Sequence, residues 1–176
     1  LNLPEHQSGT YQELTPMVCC PAELLPINDI SNVICCGSLT MLNYYTDENF
    51  KTNFDSKAVL GSFGSCNIGV DTQLIIKILL ICIKQGYKVI FHDGTNRAKF
   101  GTTINQFLTD YRGNVLITKS VNYANVREMV NCCIIHGGIG TLTEALANDI
   151  TPIIYPIIAD QHYWANKVKE LGYGGV

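Results

Sequence analysis

From residue 57 to the end of the chain, short runs of consecutive apolar residues alternate with longer stretches whose apolar residues recur at helical spacing. The runs are "KAVLGSF", "YKVIFHD", "NVLITK", "CCIIHG" and "TPIIYPI", and each is predicted to be a strand. After the first run, "DTQLIIKILLICIKQG" predicts a helix with Asp71 as N-cap and Gly86 as its C-terminal stop. Further helices are predicted over residues 102–112, "NVREMVN", "TLTEALAN" from about Thr141, and "DQHYWANKVKELG", the last closed by Gly172. "YGGV" reads as one more strand, cut off by the chain end. Because the strands are unbroken apolar runs rather than alternating ones, the sheet is expected to be parallel and buried on both faces. The pattern thus predicts an α/β domain, an open doubly wound parallel sheet, over residues 57–176. Residues 1–56 are rich in Asn, Asp, Pro, Ser and Thr, with short apolar runs at "PMVCC" and "NVICCG", and read as an irregular linker segment.

In open sheets of this kind, ligands sit beyond the carboxyl ends of the strands. Those ends carry "GSFGS" (61–65), "HDG" (92–94), "HGGIGT" (136–141) and "ADQ" (159–161). The third is the most informative. His136 ends a strand, and Gly137, Gly138 and Gly140 lead into a helix. A helix N-terminus offers unpaired N–H groups and partial positive charge, and glycines let an anion approach them. Thr141 adds a hydroxyl, and Glu144, one turn on, suits a ribose hydroxyl pair. This is a nucleotide diphosphate site in outline. The same residues equally fit a glycine-eased turn whose histidine bonds to the backbone. A dinucleotide fingerprint is excluded, because the third glycine is missing, and so is a Gly-Lys-Ser/Thr phosphate loop. Asp160 and Gln161 stand side by side at a helix start, with acceptors and a donor for sugar hydroxyls; Asp160 alone could be an ordinary N-cap.

Composition narrows the classes. The 176 residues are 47% hydrophobic, enough for the core of one domain. A net charge of -3 without a basic tract gives no reason to expect nucleic acid. No apolar run approaches the roughly 20 residues of a membrane span, and the first ten residues lack the features of a signal peptide. Of eight cysteines, six form adjacent pairs, and none has metal-ligand spacing. They are expected to be small buried hydrophobes in a reducing compartment rather than a disulfide framework.

"GSFGS", "HGGIGTLTEAL" and "PIIYPIIADQHYWANKVKELGYG", in that order, resemble the C-terminal, donor-binding domain of family 1 glycosyltransferases of the two-domain GT-B fold. Within them the chain looks most like sterol 3-beta-glucosyltransferases and their bacterial antibiotic-glycosylating relatives, the wider group including the glucuronosyltransferases. Residues 18–37 resemble the stretch where such chains leave the N-terminal domain.

The resemblance implies a Rossmann-like fold, lacking its closing elements at the C-terminal end, and residue roles. Gly64 and Ser65 would lie near the diphosphate, and Val121 would bind uracil through its backbone. His136, Gly138, Gly140 and Thr141 would hold the phosphates, Glu144 the ribose, and Asp160 with Gln161 the sugar. The implied reaction is inverting transfer of a hexose, glucose by preference, from a UDP-sugar to a hydroxyl of a lipophilic acceptor such as a sterol. No cofactor and no metal are expected. No catalytic base is expected in this chain: it would come from the protein's own N-terminal acceptor-binding domain, so the chain alone would be inactive. The alternative is a non-catalytic UDP-sugar-binding subunit that works with a separate acceptor-binding chain. The implied location is cytoplasmic, with any peripheral membrane association made through the acceptor-binding half. His6, His92 and His162 receive no role, and Trp164 is either a core or interdomain aromatic or a wall beside the sugar. Two departures stand out: Asp149-Ile150-Thr151 replaces the family's Gly-Val-Pro, and Val121-Asn122-Tyr123-Ala124-Asn125 alters the uracil platform.

Overall fold

The computed structural model describes residues 17–19, 21–25, 34–36, 54, 57–63, 71–92, 105–107 and 109–176. The chain divides into two compact units, Leu1–Leu39 and Thr40–Val176.

In the first unit, the two apolar runs of the leader pair with each other. Strand β1 (Met17–Val18) lies parallel to β2 (Ile34–Cys35), in the register Met17↔Ile34 and Val18↔Cys35. A 3-10 turn, Ala22–Leu24, lies between them and buries Leu24. A segment read as irregular therefore contains a small parallel ladder, too short to show periodicity.

In the second unit, five strands form one parallel sheet: β3 (Ala58–Ser62), β4 (Lys88–His92), β5 (Val115–Thr118), β6 (Val130–Ile135) and β7 (Thr151–Ile154). Their spatial order is β5-β4-β3-β6-β7. All five residues of β3 are buried, as expected for the central strand of a sheet covered on both sides. Helix α1 (Thr72–Lys84) connects β3 to β4. Its N-cap is Asp71, whose Oδ1 accepts from the Gln73 N–H at 2.8 Å, and Gly86 ends it at φ +85°. Ile75, Ile76 and Leu79 form its buried stripe. They pack with Val59, Phe63, Val89, Phe91, Phe107 and Ile134 into one core. The alternate strand residues Leu60, Ile90 and Ile135 point to the other face, where they are fully buried too.

The remaining helices are α2 (Tyr123–Val126), α3 (Ile139–Ala147) and α4 (Gln161–Glu170). Residues 105–107 and 109–110 are also helical. Helix α3 packs on β6 and β7. The β3–α1–β4 and β6–α3–β7 crossovers run outward in opposite directions, so right-handedness puts α1 and α3 on opposite faces.

Four expectations shift. The short helix predicted over "NVREMVN" lies earlier, at Tyr123–Val126, because Asn122 caps it, its Oδ1 accepting from the Ala124 N–H at 2.9 Å. Val130 and Asn131 then belong to β6. Helix α3 begins at Ile139 rather than near Thr141, since Gly138 already serves as an extended N-cap. "YGGV" contributes only a single bridge, Gly175 to Ile153. The cysteines are not uniformly interior: Cys133 is buried and Cys82 and Cys132 are half-buried, but Cys19 and Cys36 are exposed.

Candidate active site: the crevice between β3 and β6

The chain runs from β3 toward β4 in one direction and from β6 toward β7 in the other, so the order reverses between β3 and β6. Crossovers leave opposite faces there and a crevice opens beyond the strand ends. Ser62 and Ile135, the last paired residues of β3 and β6, are neighbours at its floor. His136 follows directly.

His136 is only 7% exposed. Its Nδ1 is sealed from solvent without a hydrogen bond. Burial lowers its pKa, while the nearby Ser62 main chain and the Asp160 carboxylate push it back up. The Ser62 main chain is thus close, but not aligned as a full hydrogen bond. The imidazole lies over the glycine loop: a Cβ at Gly138 would sit 2.6 Å from Nε2. Gly137 has φ +88°, and a Cβ there would sit 2.6 Å from Ile154 Cγ2. Gly140 differs from both, because a Cβ there would face open space.

Behind this loop stands the N-terminus of α3. Gly138 gives it no side-chain cap, and the first N–H bonded back to the cap is that of Leu142, to the Gly138 carbonyl at 3.0 Å. The N–H groups of Ile139, Gly140 and Thr141 are left without intrahelical partners. Thr141 is half-buried in this first turn. Glu144, one turn on, is half-buried and its carboxylate makes no hydrogen bond among the described residues; burial raises its pKa. Next to it, Tyr123 is buried with its hydroxyl unbonded, and its pKa is raised by burial first, then by Cys133 and Glu144.

At the end of β7, Asp160 and Gln161 take different parts. Asp160 is exposed and does not cap α4 with its side chain; instead its Oδ2 accepts from Trp164 Nε1 at 2.8 Å. Gln161 is 5% exposed, and its Oε1 accepts from the N–H groups of Ile157 (2.8 Å) and Ile158 (3.1 Å). A Cβ at Gly137 would also meet the Gln161 main-chain carbonyl and Cβ, so Gln161 packs against the glycine loop while its side-chain oxygen braces residues 157–158. Ala159, just before, adopts φ +52°, a conformation rare for non-glycine residues.

Val121 lies beyond β5, half-buried, with no main-chain hydrogen bond among the described residues. Three strand spacings of about 4.8 Å separate β5 from β6, roughly 14 Å in all. Gly64 and Ser65 lie outside the described residues. His136, Gly138, Gly140, Thr141 and Glu144 thus share the end of β6 and the start of α3, with Asp160 near His136 and Gln161 against Gly137, while Val121 lies three strands away beyond β5.

Two groups escaped sequence reasoning. Ser62 Oγ lies 3.0 Å from His92 Nδ1, and His92 Nε2 lies 3.1 Å from the Lys119 carbonyl. A carbonyl only accepts, so Nε2 carries the proton and Nδ1 accepts from the serine hydroxyl. His92 is thus a tie between the ends of β3, β4 and β5. Tyr123 is the second, and its surroundings come from Ser62 on β3, Cys133 on β6 and Glu144 on α3, which no local pattern signals. Among the described residues, no group of three or more His, Cys, Asp or Glu could hold a metal ion, and no helix is long and apolar enough to cross a membrane.

No protein-family profile matches the chain. Individual proteins do. An uncharacterized glycosyltransferase of Mycobacterium tuberculosis is 28% identical over 120 residues, 68% of this chain and 27% of that protein. A UDP-sugar-dependent glycosyltransferase of Dictyostelium discoideum is 26% identical over 153 residues, 76% of this chain and 9% of its own length. A sterol 3-beta-glucosyltransferase of Yarrowia lipolytica is 25% identical over 122 residues, 69% of this chain and 8% of its own length. The chain thus spans about a quarter or less of these relatives. Among solved structures, the glycotransferase of kitacinnamycin superposes with a TM-score of 0.73 at 19% identity, over 90% of this chain and 40% of that one. Os79 from O. sativa, in complex with UDP, gives 0.56 at 20% identity, over 65% of this chain and 26% of that one. The curated relatives are glycosyltransferases, and the chain has the Rossmann-like α/β fold of solved glycosyltransferase structures.

Proposed function

We propose that this chain is the donor-binding half of a UDP-sugar-dependent inverting glycosyltransferase. The observation that carries the reading is the uncapped N-terminus of α3 at the strand-order reversal, covered by His136 and left open at Gly140. Three N–H groups without intrahelical partners, a helix dipole and an imidazole suit the charge of a diphosphate. Gly138, Gly140 and Thr141 contact the phosphates alongside His136. Glu144 takes the ribose hydroxyls. The uracil reaches across the strand ends toward the Val121 main chain. Asp160, held on one oxygen by Trp164, offers the other to the sugar, and Gln161 offers its Nε2 because its oxygen is committed.

In the reaction, an acceptor oxygen attacks the anomeric carbon from the face opposite the diphosphate. The bond from that carbon to the phosphate oxygen breaks, and its electron pair leaves with UDP. The α3 N-terminus and His136 stabilise this developing charge, which is the work a metal would otherwise do. The acceptor's proton goes to a base outside this chain. His92 has both ring nitrogens engaged, His136 faces the donor, and His162 is exposed on α4. The base and the acceptor pocket belong to an N-terminal domain or partner chain. Glucose as the sugar and a sterol-like acceptor are supported by the sterol glucosyltransferase relatives.

Calorimetry in chelator tests the donor site. UDP is expected to bind without divalent metal. Glu144→Ala should weaken UDP and UDP-glucose alike, and Asp160→Ala should weaken UDP-glucose at least several-fold while sparing UDP. Binding that appears only with added metal would remove the metal-free clamp, and equal losses of UDP in both variants would remove the division of the ligand.

A further inference from the structure

Three of the described cysteines are shielded. Burial pushes the Cys133 thiol up to about 12 and also raises Cys82 and Cys132, so all three are poor nucleophiles at neutral pH. Cys19 and Cys36 differ in geometry: hydrogen bonding with Cys36 raises the Cys19 thiol as well, but these two sulfurs stand together at the surface. They follow the last paired residues of β1 and β2, where Val18 faces Cys35, so the next position sets Cys19 opposite Cys36. Both are exposed, and their sulfurs are 3.3 Å apart although 17 positions separate them in sequence. Adjacent strands run about 4.8 Å apart, inside the roughly 4.4–6.8 Å range of Cα separations that a disulfide spans. The sulfurs need to close only about 1.3 Å to reach the bond length of about 2.05 Å.

We propose that Cys19 and Cys36 are an oxidisable dithiol, converted to an intramolecular disulfide by a low-molecular-weight disulfide such as oxidised glutathione. One protein sulfur, as thiolate, attacks the small disulfide and releases one small thiol, leaving a mixed disulfide on the protein. The second protein sulfur then displaces the other small thiol and closes the ring. Two protein thiols are oxidised, one small disulfide is reduced, and the two protein protons end on the two released thiols. The new bond ties the two-residue strands β1 and β2 together.

The full chain is incubated with oxidised glutathione, natively and in urea, then alkylated, weighed intact and cut after Glu23 with a glutamate-specific protease. Glu23 is exposed and lies between the two sulfurs in sequence. The native chain is expected to lose two alkylatable thiols, and its two Glu23 fragments should stay joined until reductant is added. C20S/C35S should retain this bond, and C19S/C36S should lose it. In urea, where all eight cysteines are accessible, pairing should lose that preference. The proposal fails if C19S/C36S still forms the linkage or if C20S/C35S loses it. It also fails if only glutathione adducts or intermolecular dimers appear, or if the native and urea pairings are the same.

Discussion

Three glycines of the 137–140 loop are required for different reasons, and substitution separates them. Gly137 sits at a positive φ against Ile154, and Gly138 makes room for the His136 ring. Gly140 has neither constraint, so only an approaching ligand needs it bare. Alanine is the better helix former by up to about 1 kcal/mol. Gly140→Ala is therefore expected to raise the urea midpoint slightly while weakening UDP at least tenfold. Unchanged UDP affinity in calorimetry would show that nothing approaches this turn. His136 carries a pH signature. Burial holds its folded pKa below the ordinary value of about 6.5, so the unfolded chain takes up the proton first as pH falls. Its contribution is complete above that value and drains away as pH drops through it toward the folded pKa. The difference in urea midpoint between the native chain and His136→Asn should therefore shift between pH 7.5 and 5.5, the native chain losing more. A constant difference would place the imidazole in solvent. The residues of this loop were legible because each is a local anomaly, a histidine ending a strand or glycines opening a helix. Ser62, Tyr123 and the bracing oxygen of Gln161 were not, since their partners come from other strands or a neighbouring loop.

Among the elements, the strands and the long helices were readable because apolar runs such as the wholly buried β3 show no polar alternation and α1 carries a clean stripe. The expected burial on both faces fails at the edge strand β7, where Thr151 and Ile153 are exposed. What moved were ends and short pieces, where one cap decides: Asn122 drew α2 forward, and Gly138 started α3 early. The replacement of Gly-Val-Pro by Asp149-Ile150-Thr151 falls at such an end. Asp149 stands just past the C-cap Asn148 of α3 and keeps the left-handed turn at φ +57°. Aspartate tolerates this conformation but glycine prefers it. Asp149→Gly is therefore expected to stabilise the chain by about 0.5 kcal/mol, less than the full steric relief because glycine also loosens the unfolded state. Equilibrium unfolding in urea reads this directly. A loss of stability would mean that the Asp149 carboxylate supports the turn.

For the molecule as a whole, donor and acceptor chemistry are expected to be separable. Transfer needs the acceptor hydroxyl, its base and the anomeric carbon held within a few ångströms, and on the proposed reading this chain supplies only the donor's surroundings. With radiolabelled UDP-glucose and sterol acceptors, the 176-residue chain should transfer no sugar while still binding UDP. Turnover comparable to that of a full-length relative would instead require a base within the chain, with His162 the first to replace. The strand order β5-β4-β3-β6-β7 has a consequence for biosynthesis. The central strand, β3, is the first of the five to leave the ribosome, and β4 and β5 cover only one of its sides. Its other edge waits for Val130–Ile135. At roughly 5–20 residues per second, that wait lasts on the order of 4–15 s. Throughout it the nascent chain presents an open, apolar strand edge on which a neighbouring copy could add its own β6, so crowded polysomes are where this domain is most exposed to misassembly.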